Sequence, residues 1–307
     1  MLNLRQKKTT SYPRCLPKAG GRREGRSPPS HPKYEKIEKE FTEKEGPKNA
    51  KNLAKRAIEE GFDRIIIVGG DGLLNEGVNG IMEATEKISQ NFAIGIIPTG
   101  AGNNFAKEIG IPRDIEKAFE IIRKDKNISV DVGKINNRFF INCASFGFDA
   151  LANKLANELK EKYQFLPRQG SYLFAALKEI IKKIPIFEIK IKGEEIDLKE
   201  KVVMAAITNS QSYGTIFKIN PGALVNDRKL NLCLINEVGR MRALSDILRV
   251  IRANHSNLPE VKMLKFSSPL TISSPEILPY EIDGEVPEAE KEYKISILPK
   301  ALKILVP

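Results

Sequence analysis

Ile65-Ile66-Ile67-Val68-Gly69-Gly70-Asp71-Gly72-Leu73-Leu74-Asn75-Glu76-Gly77-Val78-Asn79-Gly80 joins a β-branched apolar run to a glycine turn and then to helical spacing, and this junction decides the class of fold. The apolar run reads as a buried strand. Three glycines around one aspartate let the backbone turn tightly with its N–H groups bare. From Leu74 to about Ser89 the spacing predicts a helix. A strand that empties through glycines into a helix N-terminus is an anion site, because the first helical N–H groups lack intrahelical partners. Asp71 sits in the middle of the turn. Bare phosphate would repel it, so it implies a Mg²⁺ ion between the two or a role in orienting the attacking group.

The pattern is neither a Walker loop, which needs Gly-Lys-Ser/Thr, nor a GxGxxG dinucleotide turn: neither Gly70-Asp71-Gly72 nor Gly100-Ala101-Gly102 has the third glycine. About thirty residues on, Phe92-Ala93-Ile94-Gly95-Ile96-Ile97 makes a second buried strand. It ends in Pro98-Thr99-Gly100-Ala101-Gly102-Asn103-Asn104-Phe105-Ala106. Two strands ending in small-residue turns place both loops on one edge of a parallel sheet, where ligands of α/β folds bind. Asn103 and Asn104 are also natural caps for the helix that follows.

These residues resemble the catalytic domain of the diacylglycerol kinase and sphingosine kinase family, lipid kinases related in fold to NAD kinases. The resemblance runs from about Phe41 to the C-terminus. It rests on GGDGLLNEGVNG (69–80), PTGAGNNFA (98–106), Asn142-Cys143-Ala144-Ser145-Phe146-Gly147-Phe148-Asp149-Ala150, Asp283-Gly284-Glu285 and Leu298-Pro299-Lys300-Ala301-Leu302. Departures are Leu73 for a threonine, Ala101 for a threonine or serine that contacts nucleotide, and Asn104 for an aspartate. They leave the backbone phosphate cradle intact and bear on the adenosine end.

The resemblance implies an α/β plus β architecture. A Rossmann-like three-layer nucleotide domain would occupy residues 34–133 and 299–307, a β-sandwich-like lipid-substrate domain residues 134–298, and the active site the cleft between them. The implied reaction moves the γ-phosphoryl group of ATP, with Mg²⁺, to a hydroxyl of a diacylglycerol, sphingoid base or related lipid. Glu285 would be the base and Asp71 its catalytic partner. Nucleotide contacts would come from Gly69, Gly70, Asp71, Gly72, Leu73, Leu74, Asn75 and Glu76, and from Thr99, Gly100, Ala101, Gly102 and Asn103. Thr42 matches a threonine near the nucleotide. Read on its own, Asp283-Gly284 between two strands is a preferred hairpin turn that Glu285 merely decorates.

Asp131, in Asp131-Val132-Gly133, matches an aspartate that helps place metal or base, and Asp149 reads as structural. The segment Leu224-Val225-Asn226-Asp227-Arg228-Lys229-Leu230-Asn231 resembles a loop that holds a structural Mg²⁺ through an aspartate side chain and flanking carbonyls. Asp227 keeps that ligand, with carbonyls of Leu224 and Lys229 beside it. Arg228 replaces a glycine and Asn231 an aspartate, and both changes lower the expected affinity for a cation.

The pattern of segments predicts helices over 49–60, 74–88 and 114–124, a short one after Asn103, and strands over 62–68, 92–97 and 127–132. From about 137 the periodicity shortens to strands at 137–144, 186–191, 202–208, 230–236, 270–274, 277–282 and 292–298, with few helices between. Tyr163 to Ile186 combines apolar residues such as Phe174, Ile180 and Ile181 with Lys178, Lys182 and Lys183. That suits an interfacial helix, and core packing suits it better.

The front of the chain departs most. Residues 1–33 are basic, rich in Pro, Gly and Ser, and hold no apolar run long enough for the strand that opens the family fold; Leu16-Pro17-Lys18-Ala19-Gly20 is a remnant of its Asn-Pro loop. A divergent start, a disordered arm and an upstream reading-frame error are the three explanations, and the sharp change in composition favours the last. Residues 1–36 carry ten Lys/Arg and two acids out of a chain total of +11. The basic balance thus belongs mainly to this arm, without the interleaved aromatics of a nucleic-acid surface.

Three isolated cysteines (Cys15, Cys143, Cys233) and two histidines (His31, His255) exclude the usual zinc sites and offer no Ser-His or Cys-His pair. They point to a reducing cytosol. No apolar stretch approaches the roughly 20 residues that span a bilayer. A lipid kinase of this kind would be cytoplasmic and peripheral, meeting its substrate at the inner membrane face. Homodimerisation is left open by the sequence. A non-catalytic nucleotide- or lipid-binding member of the family is the alternative reading. An NAD kinase-type enzyme fits less well, because there the Asn-Glu pair lies well downstream of GGDG rather than at Asn75-Glu76.

Overall fold

The computed structural model describes residues 2–4, 40–41, 49–86, 92–162, 168–182, 184–212 and 217–307. Thr42 and most of the basic arm lie outside these. The chain divides into two compact units, Met1–Val130 with Leu302–Pro307, and Asp131–Ala301.

In the first unit β1 (Leu2–Leu4), β2 (Glu40–Phe41), α1 (Asn49–Glu59), β3 (Arg64–Gly69), α2 (Asp71–Thr85), β4 (Ala93–Pro98), α3 (Asn104–Glu108) and α4 (Ile115–Lys124) follow in order. Helix α1 buries Ala50, Leu53, Ala54, Ala57 and Ile58. It stops where Gly61 takes φ +81°, with Phe62 N–H bonded to Ala57 O and Gly61 N–H to Ile58 O, the Schellman arrangement. Helices α1 and α2 touch backbone to backbone: a Cβ on Gly80 would stand 2.0 Å from Lys51 O. Strands β3 and β4 run parallel from Arg64↔Ala93 to Gly69↔Pro98. The C-terminal end of the chain adds Ile304 parallel to Ile94.

Two expectations are corrected here. The arm was expected to hold no strand, yet Leu2–Leu4 pairs antiparallel with Arg64–Ile66, and Glu40–Phe41 pairs with it in turn. An edge strand offers its unpaired N–H and C=O groups to any extended backbone, so three residues suffice where the sequence criterion looked for a longer apolar run. The second correction concerns α2, which starts at Asp71 rather than Leu74. Gly70 in extended conformation (φ −98°) already serves as its N-cap, so the turn is shorter than its glycines suggest.

The second unit begins within β5 (Asn127–Ile135) and continues through β6 (Arg138–Phe140), β7 (Cys143–Gly147), α5 (Phe148–Lys162), α6 (Arg168–Lys182), β8 (Phe187–Gly193), β9 (Asp197–Thr208) and β10 (Leu230–Asn236). It closes with α7 (Arg240–Ile251), β11 (Val261–Phe266), β12 (Leu270–Leu278), β13 (Tyr280–Ile282) and β14 (Glu290–Leu305), whose last residues belong to the first unit. Helices are more prominent than the strand-like periodicity implied. In α5 to α7 one face packs on a sheet, and in α5 the buried Ala150, Ala152 and Ala156 mask the apolar spacing.

Strand β9 is central: residues 197–202 pair with β8, and residues 204–208 lie between β7 and β10, all antiparallel. The sandwich-like interior centres on Phe146, Tyr280 and Tyr293, the two tyrosine rings 4.6 Å apart. Tyr293 is fully buried, and its hydroxyl donates to Leu278 O (2.6 Å) and accepts from Glu290 N–H (2.7 Å). A second cluster, with Ala152, Ala176, Ile180 and Met204, lies under the helices.

Candidate functional site

Parallel pairing carries the β3 and β4 ends to the same edge, and the loops that leave them touch. Thr99 N–H donates to Gly69 O (3.1 Å). A Cβ on Gly100 would lie 2.4 Å from Gly70 Cα, so the approach requires glycine at both places. Asn103, at φ +54°, stands at the N-cap of α3 as expected, but its side chain makes no cap hydrogen bond. Its side-chain oxygen accepts from Gly100 N–H (3.0 Å), and its amide donates to Gly100 O (2.8 Å). The cap comes from the other loop: Asp71 Oδ1 accepts Phe105 N–H (3.2 Å) and Oδ2 accepts from Asn104 Nδ2 (3.3 Å).

Around this junction other groups line the two loops. Gly70 gives α2 no side-chain cap, which leaves the first N–H groups of a 15-residue helix without side-chain partners. A Cβ on Gly72 would meet nothing within 4 Å. The Thr99 hydroxyl is buried without a hydrogen-bond partner, a costly state that a bound acceptor would relieve. Arg113 donates to the carbonyls of Ala101 and Gly102, adding a cation beside the second loop. Leu74 and Asn75 are buried in α2, with Asn79 Nδ2 bonded to Asn75 O (3.0 Å) and Oδ1 (3.1 Å). Glu76 lies in the next turn of the helix. The arrangement can hold a phosphate chain on backbone N–H groups.

In the second unit, Ile282 N–H bonds to Glu285 O (2.8 Å) and Glu285 N–H to Ile282 O (3.0 Å). Asp283 (φ +47°) and Gly284 (φ +90°) between them are both left-handed, as in a type I′ hairpin turn. The hairpin reading of Asp-Gly is therefore correct, and the same turn projects Glu285. Its carboxylate meets Arg138 Nη1 at 3.3 Å, with 44% of the side chain exposed. Asp283 is buried and accepts backbone N–H from Ile141 (2.8 Å), Asn142 (3.0 Å) and Cys143 (2.9 Å). It is the anchor of the turn.

Under the turn lies a buried polar cluster. Glu281 Oε2 accepts from Gly284 N–H (2.9 Å) and Asn153 Nδ2 (3.1 Å), and Oε1 stands against Cys143 Sγ (3.4 Å) and Ser145 Oγ (3.3 Å). Ser145 Oγ and Tyr172 Oη both bond to the Asp149 carboxylate. Burial pushes Glu281 up to about 8, and the charges of Asp149 and Asp283 push the same way. Burial, then the carboxylates of Glu281, Asp283 and Asp149, likewise raise the Cys143 thiol. Tyr172 also lines an apolar cavity of about 110 Å³ with Phe148, Ala176, Ile180, Met204 and Val250.

The residues expected to hold a structural metal do not form a site for one. Asp227 Oδ1 accepts Lys229 N–H (3.1 Å), and its Oδ2 faces Lys265 Nζ at 3.6 Å. Asp131 is fully buried, its two oxygens taken by Arg228 N–H and Lys300 N–H, each at 2.7 Å. Leu224 is half exposed. Arg228 keeps the left-handed conformation (φ +64°) that a glycine would favour. Among the described residues no three His, Cys, Asp or Glu side chains converge as metal ligands. An ammonium and main-chain N–H groups fasten this loop where cation ligands were expected, so the donor set does not fit a divalent ion.

The chain matches the diacylglycerol kinase catalytic domain over residues 17–135. It matches the YegS C-terminal NAD kinase beta sandwich-like domain over residues 142–306. The chain belongs to the diacylglycerol kinase catalytic-domain family. Among its relatives, a diacylglycerol kinase of Staphylococcus carnosus (strain TM300) is 29% identical over 76% of this chain and 73% of its own. A protein of Enterobacter sp. (strain 638) named probable lipid kinase YegS-like is 30% identical over 84% of each. The solved structure of a diacylglycerol kinase from Bacillus anthracis str. Sterne shares the fold, with a TM-score of 0.71 at 22% identity over 88% of this chain and 86% of that one.

As a lipid kinase-family chain it has the two-domain architecture that the sequence implied, an α/β domain and a β-sandwich-like domain. The family match starts at Pro17, inside the basic stretch, and takes in Pro17-Lys18-Ala19-Gly20. Among the described residues no helix is long and apolar enough to cross a membrane. Sequence reasoning missed Arg113, Arg138, Asn153 and Glu281, and it read Tyr172 only as part of the apolar stretch from Tyr163 to Ile186. Only Glu281 left a signal: it is a glutamate between apolar Tyr280 and Ile282, one strand residue before the Asp-Gly turn.

Proposed function

We propose that the protein is an ATP- and Mg²⁺-dependent lipid kinase that phosphorylates a hydroxyl of a diacylglycerol, sphingoid base or related lipid. The observation that carries this reading is the contact between the two glycine loops, tied by Asp71 to the N-terminus of α3. Such a joint makes a backbone cradle for phosphates. The partnerless Thr99 hydroxyl and the open space at Gly72 suit a nucleotide there. The apolar cavity beside Tyr172 suits an acyl or sphingoid chain. A magnesium ion would arrive with the nucleotide and draw most of its ligands from the phosphates and water.

In the reaction the lipid oxygen bonds to the γ-phosphorus as the bond to the β-phosphate oxygen breaks, and that oxygen keeps the electron pair and leaves with ADP. The hydroxyl proton passes to Glu285 Oε. Arg138 steadies the carboxylate before it accepts the proton, and the helix N-terminus and Arg113 offset charge on the phosphates. General-base assistance of this kind is worth roughly 10²–10⁴-fold. Transfer of ³²P from γ-labelled ATP to a panel of lipids tests the reading. Label is expected on at least one hydroxyl-bearing lipid, and Glu285→Gln is expected to lower turnover at least ~100-fold with the melting temperature unchanged. Near-normal turnover in that variant would rule Glu285 out as the base.

A further inference from the structure

We propose that Glu281 is a positioning residue for phosphoryl transfer, holding the Asp283-Gly284-Glu285 turn from beneath through Gly284 N–H and linking it through Ser145 and Asp149 to Tyr172 on the cavity wall. The inference rests on the lipid kinase reading above and goes beyond it. Its basis is a continuous hydrogen-bonded path. Glu281 is 1% exposed and Asp149 0%. Gly284 N–H, at 2.9 Å from Glu281 Oε2, is the residue directly before Glu285. On the other oxygen Ser145 Oγ lies at 3.3 Å and bonds onward to Asp149. Tyr172 donates to the second oxygen of Asp149 and presents its ring to the cavity. The path thus starts where an apolar chain would lie and ends at the backbone that aims the base.

The donors and acceptors along it close with one added proton on the pair Glu281 and Asp149. Tyr172 Oη–H and Ser145 Oγ–H each have a carboxylate oxygen of Asp149 to donate to. With the added proton on Glu281, Ser145 Oγ is left as an acceptor facing Oε1 at 3.3 Å. Burial, the carboxylate of Asp149 on α5 with Tyr172 of α6 behind it, and the carboxylate of Asp283 on the turn all favour the neutral acid at Glu281, and the thiol of Cys143 on β7 and Gly284 N–H oppose them less strongly. Its hydrogen-bond partners are Cys143, Ser145, Asn153 and Gly284, none of them a cation. A charged Glu281 would be a third anion in a dry cluster, repelled by Asp149 and Asp283. The neutral acid bridges the cluster; the anion pushes it apart and tilts the turn.

The test compares wild type with Glu281→Gln, which keeps one acceptor for Gly284 N–H and one donor for Ser145, and with Glu281→Ala, which keeps neither. Steady-state lipid phosphorylation is measured from pH 6 to pH 9.5, together with unfolding free energy over the same range. In wild type kcat is expected to fall as pH rises through about 8, and this limb is expected to be absent in Glu281→Gln. Glu281→Ala is expected to lose at least ~10-fold in kcat with its KM for ATP unchanged, and Glu281→Gln to recover most of that loss.

The unfolding data give a readout independent of activity. A carboxyl raised in the native state contributes stability fully below its unfolded value near 4.5 and loses it as pH climbs to about 8. Glu281→Gln therefore gains on wild type up to that pH and then holds a constant difference. An alkaline limb that persists in Glu281→Gln, a pH-independent stability difference, or wild-type kinetics in Glu281→Ala would each overturn the inference and leave the kinase reading standing. If Glu281→Ala fails to fold, the pH profile of Glu281→Gln still decides. Wild type that labels no lipid would overturn the kinase reading and the inference together.

Discussion

Both carboxylate oxygens of Asp71 turn away from the helix that Asp71 begins and toward the start of α3. One residue thereby ties the two glycine loops together, and that sets it apart from an ordinary cap. Asp71→Asn keeps an oxygen for Phe105 N–H but sets a second amide against Asn104 Nδ2. The structural loss should be about 1 kcal/mol, the usual scale of a cap, read as a fall of a few degrees in melting temperature. On the proposed reading, in which Asp71 orients metal, phosphates or substrate, turnover should fall at least ~100-fold. Steady-state kinetics beside calorimetry checks this; a turnover loss no larger than the stability loss predicts would make Asp71 a structural cap alone.

At the scale of elements, the first turn of α2 separates folding from binding. A Cβ on Gly72 meets nothing within 4 Å, whereas one on Gly100 would stand 2.4 Å from Gly70 Cα. Gly72→Ala should leave stability unchanged or raise it by up to about 1 kcal/mol, since alanine is the better helix former. It should still weaken ATP binding at least ~10-fold, because the methyl group fills the space a phosphate needs. Gly100→Ala should cost both stability and binding. Calorimetric titration of ATP against each variant, with thermal melts, distinguishes them; unweakened binding in Gly72→Ala would remove that face of the helix from the phosphate site. These two loops were legible in the sequence because strand, glycine turn and helix each leave a local pattern. What joins them was not: Asp71 bonds to Asn104 and Phe105, more than thirty positions away, and no local rule assigns a cap from another loop. The cluster around Glu281 was hidden for the same reason, since Cys143, Ser145, Asp149, Asn153 and Tyr172 come from three elements far from residue 281 in sequence. Helix α5 was under-read because its buried face is largely alanine, which satisfies packing without strong apolar spacing.

For the whole molecule, the question is how a chain with no membrane-crossing helix among its described residues reaches a lipid. On the lipid kinase reading proposed above, helix α6 is the surface to test, through its two faces. Ala175, Ala176 and Ile180 are buried, while Phe174 and Ile181, two turns apart, are 58% and 67% exposed with Lys178 between them. An apolar pair with a lysine on the outer face of a packed helix is the composition of an interfacial contact. The chain's net charge of +11 adds attraction to anionic lipid that salt would screen. Seating the exposed parts of two such side chains in a bilayer is worth on the order of 1–2 kcal/mol each. The double variant Phe174→Glu/Ile181→Glu should therefore lower co-sedimentation with anionic vesicles at least ~10-fold. Its melting temperature should not change, because neither side chain belongs to the core. Turnover of a short-chain, water-soluble diacylglycerol should also be preserved, while turnover of vesicle-borne substrate falls with the binding. Equal sedimentation of variant and wild type would show that α6 is not the contact, and a loss confined to low salt would assign the attraction to charge rather than to these two side chains.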